Sequence, residues 1–289
     1  MKTKDWLAFG GLSIAWGSSF LWIKIALAEL GPFTLVAYRL LFGVLGLLVA
    51  YLIIKPEWPK NRRMWWVLAV MAVINVSVPF TLISWGEQFI DSSMTAILNS
   101  SVPLFTAIIA HFYLKEERLS LYKVFSIALG FIGVFVLVSP NGSALNSSVF
   151  GQLAVLAAAI FYAFSAVFMK KMGGNIPPVI QALLQLFYAD AIMWGITPFV
   201  ESPIAIPSLG ITWISLVWLG VVGSCIAYLF YFYLIDSIGA TRATMVTYTF
   251  PVFGVTLGTL FLGEALDWRL GVGGILVLGS IVLVNRKGH

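Results

Sequence analysis

The sequence predicts an all-α integral membrane protein with ten transmembrane helices, arranged as two inverted five-helix repeats. Three observations lead to this fold class. The 289 residues are 60% hydrophobic and 10% charged, with a mean hydropathy of +0.98, whereas a soluble domain carries about 25% charged residues. The apolar residues fall into runs of about 20, the length that crosses a bilayer as a helix. One long segment is also written twice.

The duplicated segment runs from Ala96 to Glu117 and returns from Thr244 to Ala265. Pro103 of the first copy matches Pro251 of the second, and a Leu-x-Glu corner follows each proline at the same offset. A repeated segment of this length indicates that each half of the protein is a copy of the same repeat. We therefore expect two domains, residues 1–145 and 146–289, each a five-helix repeat.

Five spans in each half is an odd number, so the second half must enter the membrane from the opposite side. Such inverted repeats place a binding site near the bilayer midplane, between the halves. The predicted spans are 6–28, 33–54, 65–86, 93–114, 120–139, 149–169, 178–200, 211–233, 239–262 and 269–285. Proline and glycine in the short connections end each span.

Basic residues lie on one side of this arrangement. If the N-terminus is cytoplasmic, the cytoplasmic segments hold almost all of them: Lys2, Lys4, Lys55, Lys60, Arg62, Arg63, Lys115, Arg118, Lys123, Lys170, Lys171, Arg242, Arg286 and Lys287. The outer segments hold Arg269. This asymmetry predicts a multi-pass protein of the cytoplasmic membrane with both termini inside the cell. Since the positive charges lie between apolar runs, they do not indicate nucleic-acid binding.

The doubled proline segment, the Trp16-Gly-Ser-Ser19 sequence of span 1 and Arg39 of span 2 resemble those of EamA-type proteins of the drug/metabolite transporter superfamily. The resemblance covers essentially the whole chain. It implies a central cavity lined mainly by spans 1, 3, 4, 6, 8 and 9, with spans 5 and 10 peripheral, and alternating access by rocking of the halves. It implies no cofactor or nucleotide. It leaves the substrate open, because substrates in this superfamily range from amino acids to toxic compounds.

Pro103 and Pro251 are the candidate hinge residues. Each proline frees a backbone carbonyl one turn earlier, at Asn99 or Thr247, and bends its helix. A freed carbonyl at membrane depth must be satisfied by protein or must face a watery cavity. Serine and threonine side chains surround both positions, so the bends are either hinges beside the cavity or structural kinks satisfied by these hydroxyl groups.

Aromatic, amide and hydroxyl residues are the candidate substrate-binding residues. Helical spacing places Trp16, Ser19 and Phe20 on one face of span 1, and Tyr162 and Ser165 repeat that face in span 6. The full set is Trp16, Ser19, Phe20, Asn75, Pro79, Trp85, Asn99, Tyr162, Ser165, Tyr228, Thr247 and Tyr248. Such a set suits a small ligand with an apolar body and a polar or cationic head. The alternatives for the aromatic members are interfacial belts and ordinary helix packing.

Two carboxylates within or near the spans, Glu87 and Asp190, are candidate proton-coupling groups, because a buried carboxylate in a membrane is expensive to keep. The alternative for Glu87 is a solvated helix end, and for Asp190 a hydrogen bond that packs helices. Lys24 and Arg39 lie near the outer ends of their spans, so they can snorkel toward the interface. Arg39 is expected to lock helices together rather than to bind substrate. Glu116 and Glu264 are expected to be structural corners. Gly254-x-x-x-Gly258 indicates close helix contact, either within the bundle or at a dimer face.

The leading functional hypothesis is a secondary transporter that moves a small organic metabolite, an amino acid or similar, outward. The alternatives are an uptake permease of the same fold, an ion channel and a membrane scaffold. We expect no enzymatic activity and no metal site, because the two histidines and single cysteine of the chain form no catalytic or metal-ligand pattern. The expected partners are the substrate and the lipid bilayer, without nucleic acid, for a monomer or homodimer.

Overall fold

The structure is a computed structural model that describes residues 2–114, 119–138, 147–172, 174, 176–238 and 243–285. Every regular element in these ranges is helical, which confirms the predicted all-α class. The helices cross the protein alternately, so that their ends form two faces. We call the face that carries residues 55–61 and 176–177 the N-terminal face, and the other the distal face.

Nine helical segments of the described chain are long and apolar enough to cross a membrane. They are spans 1 to 9: Thr3–Ala26, Pro32–Ile54, Arg62–Gly86, Ser92–Tyr113, Leu121–Val138, Ser148–Met172, Pro178–Val200, Gly210–Ile235 and Met245–Leu262. Span 10 is the shorter apolar helix Trp268–Val284, whose 17 residues are at the lower limit for a bilayer crossing. The predicted and observed spans therefore agree to within a few residues at most ends.

Five of these spans are not single regular α-helices. Span 1 consists of Thr3–Gly17 and Ser19–Ala26, span 4 of Ser92–Asn99 and Val102–Tyr113, and span 9 of the 3₁₀-helix Thr244–Thr249 and Phe250–Leu262. Span 3 contains the π-helix Ala72–Ser77 between Arg62–Met71 and Val78–Gly86. Span 8 contains the π-helix Trp218–Ile226 between Gly210–Val217 and Ala227–Ile238. The others run unbroken: Pro32–Ile54, Leu121–Val138, Ser147–Met172, Pro178–Val200 and Trp268–Asn285.

The two π-helices lie at matching places in spans 3 and 8. In each of them a serine hydroxyl donates to the carbonyl five residues earlier: Ser77 to Ala72 at 3.1 Å and Ser224 to Leu219 at 3.0 Å. This bond fits the wider π turn, which is frequent at functional sites. Pro79 lies in the first turn of the α-helix after the first π-helix, as its second residue, where its missing N–H is least disruptive.

The prolines of spans 4 and 9 restart a helix rather than bend a continuous one. Pro103 is the second residue of Val102–Tyr113, and Pro251 is the second residue of Phe250–Leu262. Hydroxyl groups satisfy the carbonyls before the break in span 4: Ser100 donates to Ile97 O and Ser101 to Leu98 O, both at 2.6 Å. The local serines thus stabilise the break itself.

Contacts between spans follow a paired pattern. Spans 5 and 10 pack against each other, as do spans 2 and 7 and spans 4 and 9. Most other contacts between the two sets of five spans come in matched pairs: 1 with 8 and 3 with 6, 2 with 8 and 3 with 7, and 1 with 9 and 4 with 6. Span 10 also contacts span 4. Spans 1, 3, 4, 6, 8 and 9 thereby surround the centre, and the pair of spans 5 and 10 lies to one side.

Gly254 of span 9 packs within the bundle. A Cβ atom built on Gly254 would overlap the Cβ of Ala96 in span 4, so the backbones of the two spans touch only because the side chain is missing. Gly258, one turn on, lies against the hydroxyl of Ser93 and the carboxylate of Glu264. Of the two expectations for this glycine motif, contact within the bundle is therefore the one observed.

We expect Gly254→Leu to destabilise the protein strongly, because overpacking a helix contact costs about 1–3 kcal/mol or more. The thermal unfolding midpoint of purified protein should fall by several degrees. Gly271→Leu is the matched control, because Gly271 is exposed on span 10 and nothing lies within 4 Å of its missing Cβ. Equal midpoints for the two variants would contradict this packing.

Candidate functional site: a cavity between the two halves

A cavity of about 1680 Å³ occupies the centre of the described bundle. Its wall comes from spans 1, 3, 4, 6, 8 and 9, with Arg39 added from span 2 and Gln181 and Gln185 from span 7. Trp58, Lys60 and Lys170 form part of its rim, so the cavity opens on the N-terminal face. This volume is larger than a typical pocket for one drug-sized ligand, about 300–1,000 Å³, and leaves room for water beside a small substrate.

Buried aromatic and aliphatic side chains close the cavity toward the distal face. Phe20, Ile23, Phe80, Ile83 and Phe250 line the cavity and are themselves buried. The rings of Phe20 and Phe250 lie 5.8 Å apart in an edge contact, the arrangement that aromatic rings prefer. A solute that enters from the N-terminal face therefore meets an apolar wall before it reaches the other side.

Asn75 is the centre of a hydrogen-bond network that joins four spans. Its Oδ1 accepts from the hydroxyl of Ser165 at 2.8 Å. Its Nδ2 donates to Gln185 Oε1 at 3.2 Å and to the hydroxyl oxygen of Tyr228 at 3.4 Å. Asn75 lies in the π-helix of span 3, and all four side chains line the cavity. The network fixes which atoms of Gln185 and Tyr228 remain available to a ligand.

Trp16 forms the aromatic part of the wall. Its indole Nε1 donates to the carbonyl of Gly223 in the π-helix of span 8 at 3.1 Å, which fixes the ring. The indole then contacts the rings of Tyr231 at 5.2 Å, Tyr228 at 6.2 Å and Phe250 at 6.4 Å. These residues present aromatic edges and faces to the apolar part of a ligand.

Asn99 supplies an unpartnered acceptor. It ends the first helix of span 4 and lines the cavity, while its side chain is 6% exposed. Its Oδ1 has no hydrogen-bond partner among the described residues. A buried amide without a partner is costly, so this atom is available to a donor on a ligand. Thr247, its counterpart before the proline of span 9, and Pro103 also line the cavity.

The structure therefore brings together nine of the twelve residues expected to bind substrate: Trp16, Ser19, Phe20, Asn75, Asn99, Tyr162, Ser165, Tyr228 and Thr247. The other three lie elsewhere. Pro79 is buried behind the cavity wall. Trp85 is 36% exposed and packs on Phe89 at 4.8 Å. Tyr248 points away from the cavity and donates its hydroxyl to the Ile281 carbonyl of span 10 at 3.3 Å.

The two candidate hinges also separate. Pro103 lines the cavity, whereas Pro251 is buried outside it. Pro251, Trp85 and Tyr248 were expected at the cavity and lie outside it. Helical spacing predicts which residues share a face of a helix, but it does not determine which neighbouring helix that face contacts. Trp85 is one turn too far along span 3, beyond the closed end of the cavity, and Tyr248 lies on the face of span 9 that meets span 10.

The candidate coupling carboxylates are both outside the cavity wall. Glu87 is the first residue after span 3 and is 0% exposed, so it is not a solvated helix end. Neither of its carboxylate oxygens has a hydrogen-bond partner among the described residues. Burial raises the pKa of Glu87 well above its usual range, with the charge of Lys24 opposing that shift. Asp190, in span 7, is partly buried beside Trp194.

Lys24 binds the end of span 3. Its Nζ donates to the carbonyls of Glu87 at 2.5 Å and Ile90 at 2.7 Å, so it satisfies orphan carbonyls where span 3 ends. A cation is favourable at this place because the helix dipole is negative there. Lys24 therefore joins the end of span 1 to the end of span 3.

Arg39 is a functional candidate, although its position in the sequence predicted a residue that locks helices. It is 4% exposed and lines the cavity instead of snorkelling. Gly43 and Gly220 explain its position: a Cβ on Gly220 would lie 2.7 Å from the carbonyl oxygen of Arg39 and 2.9 Å from Gly43 N, so spans 2 and 8 touch there. The contact brings Arg39 Nε within 3.3 Å of Ser224 Oγ. The sequence did contain one indication of this role: span 2 has no carboxylate that could pair with Arg39.

Three glutamates close the distal face by binding helix N-termini of the other half. Glu264 accepts from Ser92 N at 2.8 Å, from Ser93 N at 3.0 Å and from the Ser93 hydroxyl. Glu201 accepts from Phe33 N at 3.0 Å and Thr34 N at 2.8 Å. A carboxylate at these positions satisfies N–H groups that a helix leaves unpaired, and it also complements the helix dipole.

Glu29 forms the third of these contacts. It accepts from Leu209 N at 3.0 Å, from Thr212 Oγ1 at 2.5 Å and from the Ser208 hydroxyl, at the start of span 8. Hydrogen bonds from Ser208 and Thr212 lower the pKa of Glu29 to about 2. Glu264 thus has the structural role expected of it, while Glu116 lies outside the described residues. We call Glu29, Glu201 and Glu264 the distal clamps.

The EamA-like transporter family matches the chain twice, over residues 5–139 and 149–286. The chain belongs to the EamA-like transporter family. The uncharacterized transporter YvbV of Bacillus subtilis strain 168 is 28% identical over 99% of this chain and 93% of its own length. An uncharacterized transporter of Archaeoglobus fulgidus is 28% identical over 98% and 99% of the two chains.

A third relative carries a location in its name. The uncharacterized inner membrane transporter YedA of Escherichia coli K12 is 28% identical over 96% of this chain and 89% of its own. A solved structure titled "Crystal structure of protein" superposes with a TM-score of 0.70 at 17% identity, over 99% of this chain and 97% of that one, which shows a shared fold. This EamA-like transporter is a multi-pass membrane protein.

Proposed function

We propose that this EamA-like transporter moves a small organic metabolite, an amino acid or similar, out of the cell by alternating access. The observation that carries the proposal is the central cavity, which opens on the N-terminal face and is closed on the distal face by an apolar wall and three glutamate clamps. A carrier must hold its substrate site open to one side at a time. Transport, not catalysis, is the activity that this arrangement supports.

The proposed moving parts are two inverted halves, residues 1–145 and 146–289. The matched contacts between spans and the π-helices at matching places in spans 3 and 8 support such a repeat. All three distal clamps join one half to the other. Opening of the distal face therefore requires the clamps to release, while the mouth around Trp58 and Lys170 closes. The breaks before Pro103 and Pro251 give spans 4 and 9 a place to bend.

We propose that the N-terminal face is cytoplasmic, in the cytoplasmic membrane. The lysines of the cavity rim and the basic loops support this orientation. The described cavity would then load its substrate from the cytoplasm, as an exporter does. The name of the Escherichia coli relative, an inner membrane transporter, fits the same location.

The orientation predicts which face a membrane-impermeant maleimide reaches. Cys225→Ser removes the one cysteine of the chain. In that background, Asn61→Cys on the N-terminal face should be labelled in inside-out vesicles and not in intact cells. Leu266→Cys, exposed on the distal face, is the matched control and should show the reverse. Labelling of Asn61→Cys from outside the cell would overturn the orientation.

Flux through purified protein in proteoliposomes tests the function. We expect uptake of at least one radiolabelled amino acid or related metabolite to saturate with concentration and to depend on a pH gradient. Linear flux would indicate a channel, and absence of flux for the whole panel would overturn the proposal. Net transport only from the distal face toward the cytoplasmic face would instead indicate an uptake permease.

Glu87 is the stronger of the two proposed coupling groups, because its carboxylate is wholly buried and has no hydrogen-bond partner among the residues that the structure describes. Lys24, Arg39 and Glu264 are the charged groups that act on it. Glu87→Gln should remove the dependence of flux on the pH gradient, while Asp190→Asn should leave flux largely unchanged. The opposite pattern would assign coupling to Asp190.

A further inference from the structure

We propose that the cavity recognises a carboxylate on its substrate, with Arg39 as the residue that binds it. The inference rests on the proposed transport function and narrows its substrate to small organic acids, including amino acids. The sequence suggested a polar or cationic head instead, because the aromatic set was visible in the sequence and the position of Arg39 was not.

The first argument is the missing counter-ion of Arg39. Among the described residues, no carboxylate forms an ion pair with its guanidinium group, and its hydrogen bond to Ser224 is made by Nε. The guanidinium carbon lies 3.9 Å from the ring centre of Phe80, which holds the planar group in place by a cation–π contact. Among the described residues, the two Nη nitrogens of Arg39 have no hydrogen-bond acceptor.

A buried arginine without a carboxylate partner is expensive in a membrane protein. Structural arginines are normally paired, so a purely helix-locking role leaves the missing partner unexplained. The side chain lines a cavity that solutes can enter from the N-terminal face. A substrate anion that completes the pair accounts for both its burial and its position.

The second argument is the orientation of the neighbouring polar groups. Tyr162 and Tyr228 lie near Arg39 and line the same cavity. Tyr228 accepts from Asn75 Nδ2, so its own hydroxyl hydrogen is free to donate. Gln185 also accepts from Asn75 through Oε1, which leaves its amide nitrogen to donate. Around Arg39 the Asn75 network thus presents donors rather than acceptors, and donors suit an anion.

The charge of the site selects a carboxylate among anions. Arg39 is the one cation in the enclosed part of the described cavity, and its planar fork matches the two oxygens of a carboxylate. A doubly charged phosphate would leave one charge uncompensated. The rim adds an attractive field for anions, since it carries more basic than acidic side chains: Lys60, Lys123 and Lys170 against Glu57.

The test compares matched acids and amides in proteoliposomes. The probes are radiolabelled phenylalanine, leucine and 3-phenylpropanoate, beside phenylalaninamide and leucinamide. At least one acid should be transported saturably, with an efficiency about tenfold or more above that of its amide, because a charge-assisted bidentate pair is lost in the amide. The ratio of acid to amide transport efficiency is measured in the unmodified protein, so this part of the test does not depend on the folding of a variant.

Arg39→Gln should lower transport of the acid about tenfold or more, to the level of its amide, and should leave the amide unchanged. Arg39→Lys should transport the acid at a rate between those of the parent and Arg39→Gln. If Arg39→Gln does not fold, the loss of acid transport in Arg39→Lys tests the carboxylate site instead. Arg269→Gln is the matched control, because Arg269 lies on the distal face beside Asp267, and its acid-to-amide ratio should stay that of the parent.

Equal transport of acids and amides, or an acid rate unaffected by Arg39→Gln and Arg39→Lys, would overturn the carboxylate site and leave the proposed transport function standing. Absence of saturable flux for every probe would overturn both. A preference for the amides would assign the site to a cation and overturn the inference alone.

Discussion

Replacement of Asn75 by leucine should reduce transport efficiency about a hundredfold while the protein stays folded. Leucine has the same branching at Cγ as asparagine, so it is the apolar replacement closest to it in shape. The three hydrogen bonds to Ser165, Gln185 and Tyr228 are lost. At about 1 kcal/mol each, they correspond to about 3 kcal/mol, or a hundredfold. Initial flux into proteoliposomes measures the effect, and thermal unfolding checks the fold.

Gln152→Leu is the matched control for Asn75→Leu. Gln152 is also a buried amide within a span, but it donates to Leu137 O at 3.4 Å, away from the cavity wall. We expect its loss to lower stability slightly and to leave flux near that of the parent. Full flux in Asn75→Leu, or equal losses in the two variants, would show that the network does not position substrate.

Removal of one distal clamp should open the distal face. In Glu264→Ala, Ser92 N, Ser93 N and the Ser93 hydroxyl lose their charged acceptor, although Ser92 and Ser93 are buried. The lost stabilisation of the closed face is about 3 kcal/mol, which shifts the equilibrium between closed and open distal faces about a hundredfold. A cysteine behind the clamp should then become reachable from the distal side.

Ile83→Cys in the Cys225→Ser background reports this opening, because Ile83 is buried at the closed end of the cavity. Labelling by an impermeant maleimide added to the distal face should rise about tenfold or more when Glu264→Ala is introduced. Glu57→Ala is the control, since the Glu57 side chain is 87% exposed on the N-terminal face. If Glu264→Ala leaves the labelling rate unchanged, Glu264 does not hold the distal face closed.

The fold was predictable because hydropathy within a single segment determines whether it spans a membrane. Proline positions likewise predicted where spans 4 and 9 are irregular, although each proline begins a new helix instead of bending a continuous one. The π-helices of spans 3 and 8 were not predictable, since Ser77 and Ser224 have no residue pattern that distinguishes them from ordinary helical serines. They bind a carbonyl five residues earlier only because the tertiary structure supports the wider turn.

Those parts of the candidate site that lie on a single helix face were predictable from the sequence. Trp16, Ser19 and Phe20 share a face by spacing, and the structure places that face on the cavity. Arg39 and the distal clamps depend instead on contacts between residues far apart in sequence, such as Glu29 with Thr212. Such contacts follow from how each span is rotated against its neighbours, which periodicity within a single helix does not determine.

Counterflow tests the central claim, a substrate cavity that faces one side at a time, most directly. Proteoliposomes that contain this protein are loaded with unlabelled amino acid, and a trace of the same labelled amino acid is added outside. Alternating access predicts that label accumulates transiently above its equilibrium level, because each carrier that releases unlabelled substrate returns with label. Equilibration of label without such an overshoot, for every transported probe, would contradict the claim.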